Sequence, residues 1–413
     1  MRARTTALAV LLSLGWLPIS AASGQEPRRV SLDEALRAAR SASPDLVVAR
    51  AREGVARAEI GVAGVYLNPS VALGTSTLTA PLSATVSIPL VILGQRGAAI
   101  DAARADQVTV GIDTQVAWND IRQLAERAYA ALWLAEGMVA ARRSSATLQT
   151  TLETAVVQRV AVGSAPELDA LRVHAEKARA DADVLEATAE VSVAASELGH
   201  WMGLADGSDL RSQGDPPAPD AVPPLGSLLA RLESSATIRR EVSDVRASEA
   251  RAARERAFVR PSMALDLGAD VGDPTLNNGS TSFPGMTNYR AQLSFEVPVF
   301  NQRGAFVERE LAQGDVARAR AQAARVQGAA ELSAAYRTFE AATAREKSLA
   351  GSVVPAAQGA ARATEEAYAL GRAPLLAVLD AERALVDARV TALEARAARS
   401  MAWAAVEHAL GAP

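Results

Sequence analysis

Two stretches restrict what this chain can fold into. From Gly97 to about Val162 there is no proline and little glycine, and from Gly304 to Leu370 the only proline is Pro355. Both stretches are rich in Ala, Glu, Arg and Leu, which are strong helix formers. A helix of about 65 residues extends ~100 Å at 1.5 Å per residue. No compact domain of a 413-residue chain contains such a rod, so each belongs to a coiled coil or a helical tube. Alanine dominates the expected seams, at Ala317, Ala319, Ala321, Ala323 and Ala324. Small side chains let helices approach closely but bury little area, and burial is worth ~25 cal/mol per Å². Stability must then come from length and many neighbours, which favours an assembly.

Both rods end in a tight reversal. Gly163 and Gly371 suit left-handed helix caps. Ser164 and Glu167 have capping-box spacing for the first return helix, and Pro166 and Pro374 fall where a first helical turn tolerates proline. Leu168, Leu171 and Leu185 continue an apolar stripe on one return helix, and Leu375, Leu379, Leu385 and Leu393 on the other. The returning helices run to about Trp201 and Leu410.

The chain reads as a tandem duplication. Asn68-Pro69-Ser70 parallels Arg260-Pro261-Ser262 at an offset of 192, and Gly94-Gln95-Arg96-Gly97 parallels Asn301-Gln302-Arg303-Gly304 at 207. Gly163-Ser164-Ala165-Pro166 parallels Gly371-Arg372-Ala373-Pro374 at 208. The first repeat spans 25–202, with strands in 69–90 and a helical hairpin over 97–202. The second spans 226–413, with strands in 261–300 and a hairpin over 304–410. The linker 203–225 holds five prolines and should be extended.

Ahead of the strands, Ser31-Leu32-Asp33-Glu34 opens a helix in capping-box style. Pro44 interrupts it, and Asn68-Pro69 stops it. The period then changes to two. Met263, Leu265, Leu267, Ala269 and Val271 share one face, opposite Asp266, Gly268 and Asp270. Tyr289, Ala291, Leu293, Phe295 and Val297 oppose Arg290, Gln292, Ser294 and Glu296. One reading is a half-exposed sheet packed on helices. The other is part of a membrane barrel, apolar outside and polar within. Four strands cannot close a barrel, and open edges are not tolerated in hydrocarbon. The membrane reading therefore requires oligomers, and three chains would supply about 12 strands, within the range of membrane barrels.

Residues 1–24 carry the basic start, short apolar run and small-residue site of a secretory signal peptide. The run is too short to span a bilayer. There are no cysteines and only three histidines, His174, His200 and His408, so disulfides, thiolate metal sites and Cys nucleophiles are excluded. The net charge of −4 argues against nucleic-acid binding, which needs a basic face. No phosphate loop, nucleophile elbow or paired His-Glu motif is present, so neither catalysis nor a cofactor is expected. The histidines read as surface or interface residues rather than ligands, and Met263 and Met286 as strand residues.

In this order, Ser31-Leu32-Asp33-Glu34-Ala35-Leu36, the Pro-Ser strand starts, Ile88-Pro89-Leu90, Val297-Pro298-Val299-Phe300 and Tyr368-Ala369-Leu370-Gly371 resemble the TolC family of outer-membrane efflux proteins. Phe300-Asn301-Gln302-Arg303-Gly304 further resembles its heavy-metal, CzcC-like branch. The resemblance implies a mainly α fold with a membrane β-barrel part. It would be internally duplicated, with long helical hairpins and four strands per chain. A homotrimer would form a 12-stranded barrel among outer-membrane lipid and an α-helical barrel reaching into the periplasm of a Gram-negative bacterium. Its partners would be a periplasmic adaptor (membrane fusion) protein and an inner-membrane pump. The implied function is the passive outer-membrane channel of a tripartite efflux system for small molecules or metal ions. The competing reading is a periplasmic coiled-coil adaptor or scaffold without a barrel.

By the same resemblance, Asp380 matches a gate aspartate at the periplasmic tip, and Ala377 occupies the other gate position. Asp169 is taken as the first-repeat counterpart of Asp380. Val162, Gly163, Ser164, Leu370, Gly371 and Arg372 fall at the adaptor-docking tips. Asp266, Asp270, Arg290 and Glu296 would line the barrel lumen. A solvated helix face, plain turn geometry and an exposed sheet face are the respective structural alternatives.

Overall fold

The computed structural model describes residues 28–75, 82–271 and 287–411. The expected signal peptide, the loop around Asp273–Gly285 and Met286 lie outside them. A short strand β1 (Arg28–Val30) leads to α1 (Leu32–Ala42), capped by Ser31, whose hydroxyl accepts from the Glu34 N–H. After α2 (Pro44–Ala63) come β2 (Ser70–Gly74) and β3 (Leu82–Leu90). The first hairpin is α3 (Gln95–Ala161) and α4 (Glu167–Trp201), and β4 (Leu210–Ser212) lies in the linker. The second repeat has α5 (Leu225–Arg231), α6 (Ala236–Ala257), β5 (Ser262–Val271), β6 (Thr287–Glu296), α7 (Gly304–Ser348), α8 (Val354–Ala369) and α9 (Leu375–Leu410).

The first rod, α3, is a single helix of 67 residues, ~100 Å long. The second is interrupted once, by a π turn over Leu349–Val353 just ahead of Pro355. A π turn accommodates one extra residue inside a helix. That matches the growth of the repeat offset from 207 at the Gln-Arg-Gly motif to 208 at the tip. The second repeat carries one more residue, and the π turn stores it.

The main sheet has the order β2-β3-β5-β6, all antiparallel, so the repeats meet at β3–β5. Register puts Val71 opposite Val86, Val86 opposite Leu267, and Leu267 opposite Ala291. Ile88, Leu265 and Leu293 form a second such row. One face is therefore apolar across all four strands. The other carries Ser87, Asp266 and Gln292 in one row, and Thr85, Gly268 and Arg290 in the next. Among the described residues no helix packs across either face. The apolar face is bare: Leu73, Tyr289 and Phe295 are all exposed. A sheet backed by helices is the reading that fails.

The linker is not merely extended. β4 pairs in parallel with β1, and Leu210 joins Val30, Tyr129, Leu132 and Leu198 in the largest core. Tyr129 donates to Gln213 O at 2.8 Å, Ser400 to Pro217 O at 3.1 Å, and Arg399 to Pro219 O at 2.8 Å. The linker thereby straps α3 of one repeat to α9 of the other. A second core gathers Leu228, Leu332, Phe339 and Val406 in the second repeat. Of the alanines expected at seams, Ala317 and Ala321 are buried, whereas Ala319 and Ala323 face outward. No helix among the described residues is long and apolar enough to cross a membrane.

Candidate functional site: the barrel face, its corners and the hairpin tip

The polar face of the sheet collects the four residues assigned to the lumen. Arg290 pairs with Asp270 at 3.1 Å. Ser294 donates to Asp266 at 2.9 Å, and Ser262 to Glu296 at 3.0 Å. Three carboxylates thus stand against one guanidinium on a face that also presents Ser83, Thr85, Ser87 and Gln292.

Below the sheet, the Gln-Arg-Gly motif has a function that sequence reasoning missed. In the sequence it stood out as a marker of duplication and, in its second copy, of the heavy-metal branch. Its arginine pins each strand-to-helix corner to the end of the preceding helix. Arg96 donates to Gly64 O at 2.6 Å and lies over the Tyr66 ring, 4.4 Å from its centroid. Arg303 binds Glu255 Oε2 through Nε at 2.9 Å and through Nη2 at 2.5 Å, and it covers Phe306 and Phe258. Glu255 is buried and also holds Arg254 at 3.0 Å. Burial alone would raise its pKa, but the two guanidiniums win and hold it below the usual carboxylate value. Arg303 also has φ 55°, the one left-handed non-glycine among the described residues. The recurrence of arginine at the same motif position was the available signal.

Gln95 crosses between the repeats. Its Nε2 donates to Pro261 O at 3.3 Å, and Arg260 in return donates to Leu93 O. Its counterpart Gln302 is exposed and makes no hydrogen bond through its side chain among the described residues.

At the far end, Gly163 (φ 72°) and Gly371 (φ 71°) turn the rods around. The Ser164 N–H reaches Arg159 O, and the Arg372 N–H reaches Ala367 O, both at 2.8 Å. This is the same six-residue closure in both copies. Val162 and Leu370 are 78% and 67% exposed at the two apices. The capping-box expectation fails here. Pro166 and Pro374 themselves occupy the N-caps, and the Ser164 hydroxyl donates back to Arg159 O at 3.0 Å. Proline fixes an extended approach to the helix, which leaves no room for a Ser164 cap three residues ahead.

The tips are held together by Leu152, Val156, Val173, Leu375, Val378 and Leu379, with Arg159 over Tyr368 at 4.5 Å. Asp380 lies beyond this core, 62% exposed and 3.6 Å from Arg383. Asp169 is 3.9 Å from Arg172. Their pairing as counterparts needs correction. At the tip offset of 208, Asp169 corresponds to Ala377 and Asp380 to Arg172, so the two aspartates sit about one turn apart along their hairpins.

Leu168, Leu171 and Leu185 also depart from expectation. They are 54%, 64% and 74% exposed, whereas Leu375, Leu379 and Leu385 are buried. The inward face of α4 is instead Val173, Ala180, Ala187 and Val191. Nearby, Glu382 is buried beside Glu365, and burial first, then that second carboxylate, raises its pKa. His174 contacts Glu153 and His408 contacts Asp120, each at 2.8 Å. No group of three potential metal ligands occurs among the described residues.

Residues 230–412 match the family described as "Outer membrane efflux protein". That match covers the second repeat. Over 337 residues it is 24% identical to the cobalt-zinc-cadmium resistance protein CzcC of Cupriavidus metallidurans, covering 82% of this chain and 78% of that one. Among solved structures it resembles a membrane protein from Pseudomonas aeruginosa, with TM-score 0.74 and 18% identity over 92% and 93% of the two chains. It also resembles the outer membrane protein VceC of Vibrio cholerae, with TM-score 0.71 and 18% identity over 92% and 96%. The scaffold alternative, which has no barrel, is not favoured.

Proposed function

We propose that three copies of this efflux protein close into one conduit, the outer-membrane component of a tripartite system for divalent metal ions. The observation that carries this is the four-stranded sheet: bare on its apolar face, lined with carboxylates on the other, and open at both edges. Lipid would cover the first face. Three copies of Asp266, Asp270 and Glu296 against three of Arg290 would give a bore of negative charge, which favours cations. A second ring of Asp380 would act at the periplasmic tip. The exposed apices at Val162–Ser164 and Leu370–Arg372 are the surface offered to a periplasmic adaptor, with an inner-membrane pump behind it. The choice of metal cargo rests on the likeness to the cobalt-zinc-cadmium resistance protein.

The duplication supplies the contacts between copies. Each contact that joins repeat one to repeat two inside the chain has a counterpart that would join repeat two to repeat one of the next copy. β3 pairs with β5, so β6 would pair with β2 of the next copy, with Phe295 opposite Leu73. Gln95 reaches the Pro261 carbonyl, so Gln302 would reach that of Pro69. Leu393 rests on Gly137 of α3, so Leu185 would rest on Ala344, which is exposed.

The chain has no cysteine, so a Leu185→Cys/Ala344→Cys pair reports this contact cleanly. Oxidation in outer-membrane fractions should give a covalent ladder that stops at three chains. Deletion of the gene should lower tolerance to cobalt, zinc or cadmium. A variant that stays monomeric, or a deletion with unchanged tolerance to metals and drugs alike, refutes the proposal.

A further inference from the structure

A cavity of about 530 Å³ opens where the two repeats meet away from barrel and tip. Its walls come from the end of α1, the middle of α3, the turn between α5 and α6, and the end of α9. Arg40, Arg231 and Arg239 line it, and no acidic side chain does. Among the described residues none of the three forms an ion pair. Arg40 lies over Trp118, 5.3 Å from the ring centroid, and Arg239 donates to Gln115 Oε1 at 2.6 Å. The neighbouring carboxylates are engaged elsewhere: Asp113 by Arg240 at 3.0 Å, Asp120 by His408 at 2.8 Å, and Glu233 by Arg325 at 2.9 Å.

The wall is also built for a polar guest. Asn119 is only 8% exposed and lines the cavity, yet its amide has no hydrogen-bond partner among the described residues. The amide therefore presents its donor and acceptor to the cavity, where a polar guest or water meets them. The first residue of α6, Ala236, also lines the cavity, and a helix N-terminus adds positive potential. Ordinary ligand pockets span about 300–1,000 Å³.

We infer that this cavity binds a small anion carrying carboxylate or phosphate groups. Arg231 and Arg239 supply the charge, the Asn119 amide donates to an anion oxygen, and Trp118 flanks the ligand. Because the walls belong to both repeats, the bound anion ties them together and stabilises the folded chain by mass action.

The test uses the full chain in detergent, titrated with sodium phosphate or citrate at constant ionic strength balanced by chloride. Tryptophan emission and the thermal midpoint are read together. A saturable response to either anion is expected, and which one saturates assigns the phosphate or the carboxylate source. Arg231→Gln/Arg239→Gln should weaken apparent affinity at least tenfold. Trp118→Phe should remove the emission change and keep the thermal shift. The thermal midpoint in chloride alone checks that each variant folds, and Arg40→Gln serves as a second test of the charge. A response no different from that to chloride, or a folded double variant titrating like the unaltered chain, overturns the inference.

Discussion

Replacing Leu171 and Leu185 with aspartate should leave the single chain folded and abolish its assembly. Both side chains point out of the chain, 64% and 74% exposed, so the substitution disturbs no internal packing. Surface changes of this kind usually stay within about 0.5 kcal/mol of neutral. Between copies the arithmetic differs. Leu393, which corresponds to Leu185 at the tip offset of 208, packs on Gly137, and Leu379, which corresponds to Leu171, is 3% exposed in the tip core. Burying a leucine fully is worth about 1.5–3 kcal/mol, so removing two largely exposed ones forfeits roughly 2–4 kcal/mol at each interface. Three interfaces close a ring together, and six buried carboxylates add a further desolvation cost. Light scattering of detergent-solubilised protein should shift from three chains to one, with helical circular dichroism unchanged. Leu379→Asp should behave oppositely and unfold the tip of the chain itself. If the Leu171/Leu185 variant stays trimeric, the correspondence between internal and intermolecular contacts is wrong.

Gly203→Ala should cost several kcal/mol, because φ is +75° and the new Cβ would lie 2.8 Å from the Ala42 carbonyl carbon. Gly163→Ala, with φ +72° and open space around it, should cost only about 1–2 kcal/mol, and thermal melts of the two variants separate contact from backbone strain. Glu382→Gln tests the paired carboxyls. The raised pKa means that the folded chain holds a proton the unfolded chain has lost, so stability falls as pH rises from about 4.5 through the folded value. The variant should be more stable than the parent at pH 7 and lack that slope. Glu255 has the opposite sign: its lowered pKa adds stability above its ordinary value that is lost on acidification, and Arg303→Ala should remove about 2 kcal/mol at neutral pH. Asp380→Asn should reduce cation selectivity in planar-bilayer recordings, and unchanged reversal potentials would remove Asp380 from the gate.

Local rules decided much of this protein. Proline-free runs of helix formers give rods wherever they are placed, strict alternation gives a two-faced sheet, and the repeated Asn/Arg-Pro-Ser, Gln-Arg-Gly and Gly-x-x-Pro markers place the elements in register. These signals depend on neighbours within a few residues, so they survive without knowledge of the fold. Which leucines face inward was not legible. Leu171 and Leu379 occupy matching places in matching helices, yet one is bare and one is buried, because the second hairpin has the first beside it and the first has an open flank. Gln95 and Gln302 differ for the same reason. The Arg303–Glu255 clamp, the linker strap over Tyr129 and Arg399, and the acid-free cavity beside Asn119 all join residues dozens to hundreds of positions apart. Only the packing of the two repeats against each other brings those groups together, since a side chain's partner is fixed by the space it shares and not by its place in the chain.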